Sequence, residues 1–173
     1  MSFLLILGFL FVILILLNKQ SIVNWVDTDS SLVKKLSSLK WFQNEWLSGI
    51  LIFLVNAFLF SLAVLIIFVS SMLNIPYVHI VIMFVATIVS IYFWIAVHHA
   101  ENKQRKGRLI MGSVGSSFYL FLLLGFLYMI ATLEPSTPGN DTFMAFIGLV
   151  FASFVSFVAM FTCFSITGFT RKR

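Results

Sequence analysis

Every lysine and arginine in the chain lies in one of three short stretches, and long apolar runs stand before and between them. The stretches are Lys19 to Lys40, Lys103 to Arg108, and Arg171 to Arg173. Lysine and arginine accumulate on the cytoplasmic side of a membrane. A chain that starts outside and crosses five times puts all three stretches on that side. The runs cover about 2–17, 47–73, 77–97, 109–133 and 143–169, and none carries Asp, Glu, Lys or Arg. The expectation is an all-α, polytopic integral membrane protein. It has a five-helix transmembrane bundle, its N-terminus outside and its C-terminus cytoplasmic, in the plasma membrane. Helix is the state that satisfies the backbone of an isolated span.

Composition agrees. Apolar residues make up 61% of the chain and charged residues 10%, with mean hydropathy +1.07. A soluble domain is nearer half apolar and a quarter charged. The pI of about 9.6 comes from residues confined to segments beside the spans, not from a folded basic face, so nucleic acid is not the expected partner. Anionic headgroups are. The expected lipid contacts are Lys34, Lys35, Lys40, Lys103, Arg105, Lys106, Arg108, Arg171, Lys172 and Arg173. The chain reads as a single membrane domain.

The first run, Ser2 to Leu17, is about 25 Å long as a helix, slightly short for a span. Basic charge follows it and no small-x-small cleavage pattern appears, which favours an uncleaved anchor. The polar segment after it ends in a helical pattern. Leu32, Leu36, Leu39, Phe42 and Trp46 recur at spacings of four, three, three and four, with Lys34, Trp41 and Glu45 opposite. This predicts one amphipathic helix over about 30–46, lying on the inner leaflet. Asn74-Ile75-Pro76 closes the second run, because proline disfavours helix at the residue before it. The acidic connection from Glu134 to Thr142 holds a proline-glycine turn and an Asn140-Asp141-Thr142 sequon, a weak match.

Small residues mark two helix faces. Gly49, Asn56, Ala63 and Ser70 recur every seven residues in the second run. Ala145, Gly148, Ala152, Ser156, Ala159 and Cys163 form a stripe along the fifth run, with phenylalanines on its other faces. Small side chains let helix backbones approach in a membrane. Both sets are the predicted packing interface, within the chain or against another protein. For Asn56 an interhelical hydrogen bond is favoured over a pore contact.

Candidate chemistry is sparse. His98, His99 and Glu101 are too few for a zinc site, and adjacent histidines diverge by about 100° on a helix. Their expected setting is a hydrated interface. Ser113, Ser116 and Ser117 lie at a similar depth, but no nucleophile elbow accompanies them. Coupled carriers place ionisable groups at mid-membrane, and none stands there. No metal or other cofactor is expected. The leading expectation is a non-enzymatic membrane subunit or accessory or immunity-type protein, acting with another membrane protein or as a homo-oligomer. The alternative is a small oligomeric channel or carrier for a weakly polar solute. The third is a membrane enzyme using His98, His99 and Glu101.

Overall fold

The computed structural model describes residues 30–73, 78–133 and 142–169. The predicted span at 2–17, the Asn74-Pro76 turn, the sequon loop and the Arg171–Arg173 tail lie outside the described residues. Among the described residues every regular element is helical. They are α1 (Ser31–Ser37), a 3₁₀ turn (Lys40–Gln43), α2 (Glu45–Met72), α3 (Val78–Ala100), α4 (Arg105–Ala131), α5 (Thr142–Phe164) and a π-helical turn (Ser165–Phe169). Four of these helices, α2 to α5, are long and apolar enough to cross a membrane.

The long helices exceed the apolar runs at the basic end. The fourth run was predicted to begin at Leu109. Helix α4 begins at Arg105, so Arg105, Lys106 and Arg108 stand on its first turn. Hydropathy ends where charge begins, but lysine and arginine are good helix formers and the helix continues through them. His98 and His99 likewise occupy the last turn of α3. Only residues 101–104 remain as connection.

Helix α4 is central. It packs on α2 on one side and on α5 with its π turn on the other. Contacts advance together along α2 and α4, so these two run in the same sense: Gly49 meets Met111 and Val114, and Ile52 meets Gly115. α5 runs against α4, with Thr167 and Gly168 beside Gly112. The approach between α2 and α4 is close because glycine allows it. A Cβ on Gly49 would lie 2.7 Å from Val114 Cβ, and one on Gly115 would lie 2.6 Å from Ile52 Cγ2. Overpacking of this kind typically costs about 1–3 kcal/mol. Gly115→Leu should therefore lower thermal stability in detergent by that amount.

The core lies at the basic end. It gathers Ile52, Trp94 to Val97, Met111, Cys163 and Ile166, together with Val33, Leu36 and Phe42 from the segment before α2. Further along the spans, large apolar side chains such as Phe68, Met72, Phe84, Tyr128 and Phe143 are exposed. Lipid tails are as apolar as leucine, so a span gains nothing by hiding such faces.

The predicted amphipathic helix over 30–46 is corrected. The segment is a short helix, an extended Leu39, a 3₁₀ turn and an extended Asn44. The Ser37 and Ser38 hydroxyls donate to the carbonyls of Lys34 and Lys35, at 3.0 and 2.9 Å. Serine competes in this way with helix continuation. Asn44 caps α2, accepting from the Trp46 backbone N–H at 3.1 Å. The predicted stripe is therefore split. Leu36 and Phe42 are buried and Leu39 is half-buried, but Leu32 and Trp46 are exposed, and Val33 is buried in place of Leu32. The segment straps the bundle end, with α1 against α3 and the Ser30 hydroxyl 3.0 Å from the Tyr92 hydroxyl.

Candidate functional site

Two polar clusters are built into the basic end, one above the other. The deeper one centres on Asn56, which is 1% exposed. Its Oδ1 accepts from Trp94 Nε1 at 2.9 Å. Its Nδ2 donates to the Gly115 carbonyl at 3.3 Å and lies 3.9 Å from Cys163 Sγ. One amide thus joins α2, α3, α4 and α5. The Trp94 ring also meets Tyr119 edge-on, with centroids 6.0 Å apart. Interhelical hydrogen bonds in membranes average about 0.6 kcal/mol and reach about 1.7. Asn56→Leu should cost more than one such bond, because it strands the Trp94 N–H and presses a branched side chain on Gly115.

The second cluster is ionic. Glu101, in the α3–α4 connection, is 1% exposed, as is His98. Glu101 Oε1 lies 3.6 Å from His98 Nδ1 and 3.7 Å from Arg108 Nε. Lys103 reaches inward too. Its ammonium donates to the Ser48 hydroxyl, lies 3.5 Å from Met111 Sδ, and stands 4.9 Å from the centroid of the Phe42 ring. Glu45 sits beside Gly107, where any Cβ would strike its carboxylate. Glu101 and Glu45 both act on Lys103, and Glu101 also meets Arg108.

Burial pulls the Lys103 ammonium below the usual lysine value, while Glu101 and Glu45 pull it back up. A folded value below the unfolded one means that charged Lys103 costs stability. The cost is present below the folded value and is relieved as pH rises through it toward about 10.5. Stability should therefore gain with pH in that window, and Lys103→Met should remove the gain.

The residues read from the sequence take up different settings in the bundle. His98 was expected in a hydrated interface and is buried against Glu101, while His99 is half-buried. Lys103 and Arg108 were expected among the headgroups, but both turn into the cluster. Lys34, Lys35, Lys40, Arg105 and Lys106 are exposed. Of the α2 face, Gly49 and Asn56 are buried in contact with α4, while Ala63 and Ser70 are half-buried; the Ser70 hydroxyl donates to the Ile66 carbonyl. Of the α5 stripe, Ser156 and Cys163 are buried and Ala152 and Ala159 half-buried. Ala145 and Gly148 are exposed, and a Cβ on Gly148 would meet nothing within 4 Å. Among the described residues, that end of the stripe stands open.

Among the described residues, no group of three or more His, Cys, Asp or Glu gathers as metal ligands would. Cys163 is free and buried. It should resist aqueous thiol reagents until the protein is denatured, and rapid labelling would instead reveal a water path along α5. Compared with protein-family profiles, curated proteins and solved structures, the chain has no match in any of the three.

Proposed function

We propose that the protein is a non-enzymatic membrane subunit that assembles with, or regulates, a larger membrane complex; an immunity-type protein belongs to the same class. One observation carries the reading. The α5 stripe is continuous in sequence, yet among the described residues only its basic-end half is covered. Gly148 and Ala145 present a small, open face where another helix backbone can approach. The buried polar groups add support, because each engages a neighbour within the bundle: Asn56 with Trp94, Lys103 with Ser48, and Glu101 with His98.

In this reading five spans cross the plasma membrane, with the N-terminus outside and the basic end in the cytoplasm. Reporter fusions after Gly107 should read inside and fusions after Asp141 outside. The opposite sign at either site overturns that placement.

The partner is tested by mild-detergent purification with identification of stoichiometric companions. Gly148→Leu should reduce recovery of the companion while leaving the thermal stability of the isolated chain within about 0.5 kcal/mol, as for open surface sites. Equal recovery with both proteins would remove α5 from the interface. A symmetric homo-oligomer with a hydrated centre would favour a channel instead.

A further inference from the structure

Between α4 and α5, near the basic end, runs a groove of about 220 Å³. Ser113, Ser116, Ser117 and Leu120 form its α4 wall, and Met160, Phe161 and Phe164 its α5 wall. The antiparallel pairing of the two helices sets its direction. Gly112 lies beside Gly168, so Ser113 stands toward the basic end and Leu120 and Met160 lie deeper. Polarity falls along the groove in the same order, from the exposed Ser113 through Ser117 to an apolar floor.

Above the mouth stands Lys106. Ser113, Ser117 and Leu120 follow it at offsets of seven, eleven and fourteen, which stacks all four on one face of α4. The rise from Lys106 to Ser113 is about 10 Å, within reach of a lysine side chain and one phosphate group. Lys106 and Arg105 are exposed, and the first turn of α4 has no acidic residue. The order cation, hydroxyl, apolar floor is that of an amphiphile entering tail first. A free anion would have no use for the floor. The volume is below that of a site for a whole drug-sized molecule, and suits part of one chain.

We infer that this groove seats one acyl chain of an anionic phospholipid, with its phosphate held by Lys106 and met by the Ser113 hydroxyl. The outer half of α5 takes no part, so the inference stands or falls separately from the partner reading.

The test uses the full chain in nanodiscs holding equal amounts of phosphatidylglycerol and phosphatidylcholine of the same chain length. Lipid retained on the released protein is measured by native mass spectrometry. The wild type should retain one lipid and prefer phosphatidylglycerol. One basic side chain near the surface contributes enough to change the ratio about fivefold. Lys106→Gln should therefore lower the preference by about that factor. Ser117→Phe, which fills the groove, should reduce retention of both lipids, and Gln43→Ala, at an exposed uncharged residue away from the groove, should change nothing. Lys106 is exposed, so its replacement leaves the fold intact and the result readable even if Ser117→Phe misfolds. Equal retention of the two lipids, or a preference unaltered by Lys106→Gln, overturns the inference. A lipid-free dimer overturns it as well, and assigns the groove to a second copy.

Discussion

Glu101→Ala should destabilise the basic end of the bundle by about 3 kcal/mol, the low end of the range for breaking a buried ion pair. The carboxylate is almost fully enclosed, with Arg108 Nε at 3.7 Å and His98 Nδ1 at 3.6 Å. Removing it takes one carboxylate away from both Arg108 and Lys103. The low end applies because both cations sit on long stems that can swing toward headgroups or water. Glu101→Gln should cost less, since the amide keeps the volume and an acceptor oxygen. Arg108→Met has the opposite logic, leaving a carboxylate buried beside fewer cations. The variant lacking both groups, Glu101→Gln with Arg108→Gln, should recover part of the loss, because neither charge is then stranded. Thermal unfolding of the wild type, Glu101→Gln, Arg108→Gln and the double variant in one detergent measures the coupling. If the single and double variants prove additive, the pair is not energetically coupled and the cluster is held by packing alone.

That carboxylate shows where sequence reasoning stops. The helical architecture was legible, since four described helices match runs whose length and hydropathy leave few alternatives. The small faces on α2 and α5 were legible as candidates because helical spacing depends only on local period. The direction taken by Glu101, Lys103 and Arg108 was not. In sequence they form a hydrophilic connection, and the rule that puts basic residues beside headgroups treats them as equivalent. Which of them turn inward depends on Ser48, Phe42 and Met111, which only the folded chain brings near. The same holds for Asn56. A polar residue amid apolar ones announces some hydrogen bond, but Trp94, Gly115 and Cys163 as its neighbours follow from the register of four helices. Two signals were available and missed. Gly112 and Gly115, three residues apart, are as good a packing face as the one read on α2. Ser37-Ser38 with Asn44 marks a stop and a cap inside the region taken for one continuous helix.

The strap in that region sets the other large expectation. Phe42→Ala should cost about 3–5 kcal/mol, the usual range for truncating a buried aromatic. Phe42 is fully buried, although it lies in a polar stretch between two exposed residues, Trp41 and Gln43. The chain leaves helical geometry after Ser38, and Phe42 then enters the core on a 3₁₀ turn. Its ring underlies the Lys103 ammonium, an arrangement that contributes about 0.5–1 kcal/mol at partly exposed sites. Truncation thus removes core volume and a seat for the cation together. Trp41→Ala supplies the contrast. That ring is 44% exposed, and its loss should weaken attachment to the bilayer surface while leaving unfolding nearly unchanged. If the segment merely lay on the leaflet, Trp41 and Phe42 would behave alike. A large loss of stability confined to Phe42→Ala, with faster proteolysis before Glu45, identifies residues 30–44 as part of the bundle's core. Equal and small effects of the two substitutions would return the segment to the membrane surface.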